Sequence, residues 1–190
     1  RRTAKEPLTF LLATRLINAK GVDTYLSAAA EMRMNGIEAR FLLAGLTAET
    51  NPDAVDPALL DEAHHKDHIE FLGPVSQSDM PALLNETDVF CLPTRLREGF
   101  PSSLLEAAAC GCALIATDQV PMRILIDERK TGWLLQNPGG DELVHAMQSA
   151  LSDIAETRLM GTRARDRVRR LPVDRQSIVD AFLALYGARH

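Results

Sequence analysis

The chain has 190 residues, 46% of them hydrophobic and 25% charged, and its 21 Lys and Arg against 26 Asp and Glu leave a net charge of −5. That composition excludes a disordered or fibrous chain and argues against a general polyanion binder. With aromatics at 5%, a base-stacking nucleic-acid platform has few parts, and the length holds one domain with a sizeable core or two small ones.

In chain order, the apolar run 8–13 (LTFLLA) predicts a buried strand. Val22, Tyr25, Leu26 and Ala29 then recur at helical spacing, and Gly36 ends that helix. Residues 39–45 predict a second strand, and the long loop 46–56 carries Asn51-Pro52 and Asp56-Pro57 as turn signals. A helix over 57–65, a strand over 69–73 and a helix over 79–86 with Pro81 in its first turn follow. Next come a strand over 88–92, a helix over 101–110 stopped by Gly111, strands over 113–117 and 132–135, and a helix over 141–151. From 154 to 190 the pattern is helical, broken at Pro172.

Near-continuous apolar strands alternating with helices imply an α/β fold, a doubly wound Rossmann-like parallel sheet of about six strands with a helical C-terminal tail. The expected organisation is a single domain over 1–190, with its core at about 8–151 and the tail at 152–190. Such sheets bind ligands beyond the carboxyl ends of their strands. That rule selects residues 14–21, 45–47, 73–76, 93–100 and 117–122.

The most unusual residues fall there. Between Gly99 and Thr117 the one charged residue is Glu106, a carboxylate in an otherwise apolar helix, which needs a partner. It closes a capping box with Ser103, or it accepts hydrogen bonds from ligand hydroxyls in a cleft. Glu98, in the loop before that helix, can face the same site. The helix start at Pro101, Ser102 and Ser103 favours a phosphate, and Arg15 and Lys20 beyond the first strand add cations suited to a diphosphate. Neither GxxxxGK[ST] nor GxGxxG occurs, so nucleoside triphosphate hydrolysis and dinucleotide binding lose their best signals.

Taken in order, TRLINAKGVD, FLLAG, IEFLGPV, DVFCLPT and REGFPSSLLEAAACGCALIATD resemble the carboxyl-terminal, donor-binding domain of family 4 (group 1) retaining glycosyltransferases. The similarity covers about residues 8–151, and its most specific element is the E-x7-E spacing from Glu98 to Glu106. The resemblance implies one half of a GT-B fold, two Rossmann-like domains facing across a cleft. It also implies a role in surface polysaccharide biosynthesis, with a UDP-sugar favoured as donor.

Residue by residue, it implies that Arg15 and Lys20 hold the donor diphosphate, that Glu106 binds the ribose and that Glu98 contacts the transferred sugar. Gly99, Phe100 and Pro101 would offer main-chain N–H groups near sugar and phosphate, and Ser102 and Ser103 would lie at the phosphate-facing helix start. Gly73, Pro74 and Val75 would line the base pocket. Retention would proceed through a front-face, oxocarbenium-like step with no side-chain nucleophile, no metal and no cofactor. The partners implied are the nucleotide sugar and an acceptor glycan or lipid-linked glycan, the acceptor being met through an N-terminal domain that this chain lacks. The chain is therefore expected to be a fragment, inactive in isolation. A non-catalytic sugar-nucleotide binder and a GT-B epimerase or phosphorylase are the alternatives.

Against the resemblance, residues 118–124 lack the family's glycines, Ile124 stands where Glu is common, Arg129 replaces a turn glycine and Thr14 replaces the Gly before Arg15. His64, His65 and His68 read as a solvated helix rather than a metal site, with His64 and His68 on one face. Cys91, Cys110 and Cys112 read as core, which favours a reducing compartment. Arg163, Arg167 and Arg170 share a helix face whose default is solvation, with contact to anionic lipid as the rival. Ile178, Val179, Phe182, Leu185 and Tyr186 read as packing positions of a final helix. No apolar run approaches the roughly 18 residues a spanning helix needs, so the expected location is cytoplasmic, at most at the inner face of the membrane.

Overall fold

A computed structural model describes residues 7–47, 50–99 and 101–171. Its strands are β1 (Thr9–Ala13), β2 (Arg40–Ala44), β3 (Glu70–Gly73), β4 (Val89–Leu92), β5 (Ala113–Thr117) and β6 (Gly132–Leu135). The helices are α1 (Val22–Met34), α2 (Pro57–His65), α3 (Met80–Asn85), α4 (Ser102–Cys110), α5 (Met122–Leu125), α6 (Gly140–Ser152) and α7 (Ile154–Val168). The six strands pair in parallel in the order β3-β2-β1-β4-β5-β6, as the apolar runs predict. The short α5, and a 3-10 turn at Asn18–Lys20, carry no periodic pattern long enough to announce them.

Every residue of β1, β4 and β5 is buried, because both sheet faces are covered. α1 packs on α2 and α6, whereas α4 packs on α3, α5 and α7. That grouping follows from right-handed crossovers that step outward in opposite directions from the sheet centre. Across the β1/β2 register Phe10 lies opposite Phe41, and their rings stack with centroids 5.4 Å apart. Each such buried side chain contributes about 1.5–3 kcal/mol.

Buried Asp88 pairs at the amino ends of the strands. One oxygen accepts the Thr9 N–H at 3.0 Å and the other accepts Arg158 Nε at 3.1 Å, which ties β1, β4 and α7 together. At the opposite ends of the strands the order reverses between β1 and β4, the place where open parallel sheets bind their ligands.

Candidate functional site

The loop after β1 is held from two sides. Leu16 bridges to Thr47 and Ile17 to Ala54. Asn18 Nδ2 donates to the carbonyls of Asp53 and Ala54 at 3.3 and 3.4 Å, and Asp53 Oδ2 accepts the Ala19 N–H at 2.8 Å. From the other side comes Arg95, in the loop after β4. Its main-chain N–H donates to Ala19 O at 2.8 Å, and its guanidinium forks onto Asp23 at 2.8 and 2.9 Å while also reaching Asn18 O at 2.7 Å. These bonds hold the 3-10 turn, and with it Lys20.

Lys20 Nζ meets Glu98 Oε1 at 2.5 Å, and both side chains are largely buried, at 16% and 14% exposed. Thr94, wholly buried, donates its hydroxyl to the same oxygen at 3.0 Å. The Glu98 N–H donates to Gln119 Oε1 at 3.0 Å, and Gln119 Nε2 donates to Leu96 O at 2.7 Å. The loop after β5 is thus joined to the loop after β4.

A cavity of about 280 Å³ has a lining that includes Arg15, Gly45, Pro74, Val75, Ser103 and Glu106, but neither Lys20 nor Glu98. Arg15 is exposed there, with no carboxylate partner among the described residues. Four segments, following β1, β2, β3 and β4, meet around it. α4 starts at an N-cap, Pro101, that brings no side-chain hydrogen bond, so the helix's first N–H groups are left for water or an anion. A second cavity of about 310 Å³, between α3 and α4, shares Met80, Leu84 and Glu106 with the first. The arrangement sets an exposed cation, Arg15, the first turn of α4 and a carboxylate, Glu106, around one cavity.

A family model described as glycosyl transferases group 1 matches residues 1–167. The chain belongs to the group 1 glycosyltransferases. WcaL of Salmonella typhimurium, named as a colanic acid biosynthesis glycosyltransferase, is 27% identical over 85% of this chain and 41% of its own length. A GDP-mannose-dependent mannosyltransferase of Mycobacterium tuberculosis is 28% identical over 84% of this chain and 42% of its own. This group 1 chain therefore spans about two fifths of the length of these relatives.

Among solved structures, sucrose-phosphate synthase of Thermosynechococcus elongatus superposes with a TM-score of 0.81 and 25% identity over 98% of this chain and 46% of that one. The C-terminal domain of a Francisella tularensis group 1 protein, LpcC, gives 0.71 and 20% over 87% of each. Anabaena HepE in complex with UDP-glucose gives 0.74 and 20% over 85% of this chain and 44% of that one. These neighbours share the Rossmann-like architecture of GT-B glycosyltransferases.

Of the group 1 residues expected at the site, Arg15, Ser103, Glu106, Pro74 and Val75 share the cavity, and Lys20 meets Glu98. Gly73, Gly99, Pro101 and Ser102 are not among the cavity's lining residues. Phe100 lies outside the described residues, as do Pro172 and the final-helix positions from Ile178 to Tyr186. The capping box is absent. Ser103 sits inside α4 and caps nothing, and Glu106 is exposed, facing the cavity instead of the helix start.

His68 lies beyond the end of α2, so it shares no helix face with His64, and no group of metal-binding side chains occurs among the described residues. Cys91 and Cys112 are core, but Cys110 is half-buried, its thiol pushed up first by burial and then by the Glu106 carboxylate. The arginine face is not simply solvated. Arg163 pairs with Glu156 at 2.5 Å, and Arg167 Nε donates to Ile124 O at 2.6 Å. Among the described residues, no helix is long and apolar enough to cross a membrane.

Thr94, Arg95 and Gln119 fall within segments selected at the carboxyl ends of the strands, but neither they nor Asp53 stand out individually in the sequence. Each is a polar loop residue, and nothing local separates one that bridges two loops from one that faces water.

Proposed function

We propose that this chain is the donor-binding half of a retaining glycosyltransferase that takes a nucleoside diphosphate sugar, a UDP-sugar by preference, and works in surface polysaccharide biosynthesis. The observation that carries the reading is the convergence of Arg15, Ser103, Glu106, Pro74 and Val75, from separate segments, on one cavity, while Lys20 of the loop after β1 pairs with Glu98 of the loop after β4. Breaking the bond from sugar C1 to phosphate develops negative charge on the leaving diphosphate. Arg15, Lys20 and the N-terminus of α4 are preorganised to stabilise that charge. Glu106 would accept the ribose hydroxyls and Glu98 those of the transferred sugar. The leaving phosphate would assist the acceptor on the same face of the sugar, so that no side-chain nucleophile and no metal is needed. Relatives named for polysaccharide synthesis and a neighbour solved with UDP-glucose support the substrate class. The acceptor, a glycan or lipid-linked glycan, would be presented by a second domain, so the chain alone would bind donor without turnover.

Calorimetric titration with UDP, GDP and ADP tests the reading. At least one should bind in the micromolar to millimolar range, and Arg15→Ala and Glu106→Ala should each weaken it about 10-fold, the loss of a charge-assisted hydrogen bond. Absence of heat with all of them would defeat the donor site. Turnover of the full-length protein, compared with Glu98→Ala, separates a transferase from an inert binder. If wild type is inactive while binding persists, the chain is a sugar-nucleotide binding module.

A further inference from the structure

We propose that Gln119 is a positioning residue for sugar recognition: its side-chain amide fixes the main chain of the 96–98 turn and so holds the Glu98 carboxylate against the transferred sugar. The inference rests on the reading above that Glu98 contacts that sugar.

Glu98 is held at two levels. Its carboxylate is bound through Oε1 alone, by Lys20 at 2.5 Å and Thr94 at 3.0 Å, and Oε2 has no hydrogen-bond partner among the described residues. Oε2 is therefore the atom left for a sugar hydroxyl. Its main chain is held by Gln119, which accepts from the Glu98 N–H at 3.0 Å and donates to Leu96 O at 2.7 Å. An arriving diphosphate competes with Glu98 for Lys20. As that ion pair loosens, Thr94 and Gln119 remain as the restraints that keep Oε2 in place.

The chemistry requires a primary amide. The turn presents one acceptor and one donor, and a planar amide answers both from one rigid group. A carboxylate of the same size cannot donate to Leu96 O, and a hydrocarbon can do neither. Gln119 is itself anchored. Its carbonyl accepts from the N–H groups of Met122 and Arg123 at 2.9 and 3.2 Å, and the preceding Asp118 N–H donates to Leu135 O at 2.7 Å. The Asp118 carboxylate is in turn held by Arg123 at 2.6 and 2.8 Å and by Gln136 at 3.0 Å. The loop that lacks the family's glycines thus reaches the site through a side chain.

The test is calorimetric binding to the full-length protein, with UDP-glucose against UDP, GDP-mannose against GDP and ADP-glucose against ADP, using the pair that wild type binds. Gln119→Met and Gln119→Glu should each weaken the sugar nucleotide about 10-fold, leaving the nucleoside diphosphate within about 2-fold of wild type. In a Glu98→Ala background, Gln119→Met should cost nothing further, because it acts through Glu98. Three results would overturn the proposal: wild-type binding by both variants, equal weakening of the diphosphate, or a full additional loss in the double variant. A wild type that binds none of these nucleotides defeats the donor site itself.

Discussion

Replacing Gly21 by alanine probes how tightly the loop after β1 is locked against the loop after β4. Gly21 ends the Asn18–Lys20 turn with φ at +78°, a left-handed conformation that costs a non-glycine residue about 1–2 kcal/mol. Its added Cβ would lie 2.1 Å from the Pro93 carbonyl oxygen, where ordinary contact begins at 3.4 Å, so the main chain at Pro93 must retreat by about 1.3 Å. Forced repacking of this kind costs about 1–3 kcal/mol more.

Gly36 supplies the control, because its φ is +71° and a Cβ there would meet nothing within 4 Å. Gly36→Ala should therefore show the conformational cost alone. By thermal unfolding followed by circular dichroism, we expect a fall of roughly 2–8 °C for Gly36→Ala and roughly 4–20 °C for Gly21→Ala, at about 2–4 °C per kcal/mol for a chain of this size. Retreat at Pro93 also carries Thr94, whose hydroxyl holds Glu98. Equal destabilisation by the two substitutions would show that the close approach at Pro93 is relieved without cost and that the two loops are not locked together there.

Arg129→Gly should act in the opposite sense. Exposed Arg129 has φ at +58°, and glycine there should raise stability by about 1 kcal/mol, read from urea midpoints. The hydrogen bond from Arg123 holds the Asp118 carboxyl below its usual range. Below the ordinary carboxylate range the unfolded chain binds the proton first, so the stability this group adds is complete at neutral pH and is lost as pH falls through its folded-state value. Urea unfolding at neutral pH and near pH 3 should show Asp118→Asn losing less stability on acidification than wild type, and an equal loss would remove Asp118 from the acid response.

The strands and most helices are legible in the sequence because burial on both faces leaves a local trace. LTFLLA cannot sit in water, and Gly36 and Gly111 stop helices where they stand. The E-x7-E spacing likewise marks Glu98 and Glu106 within one stretch of chain. Less could be read for the mechanism of their placement. A capping box and a cavity-facing carboxylate share one spelling, and the N-cap at Pro101 separates them. His68 looks one helical turn from His64, but the chain leaves α2 between them.

By itself, then, the sequence determined the class of fold, the group 1 family and the ligand-facing ends of the strands, all properties written in short windows of residue type. Tertiary structure alone decided which loops meet. Lys20 finds Glu98 across 78 positions, and Gln119 reaches Leu96 and Glu98 from the far side of β5. The physical reason is that pairing of this kind depends on strand order. The reversal between β1 and β4 brings remote loops together, and a lone polar residue carries no record of the neighbour it will acquire.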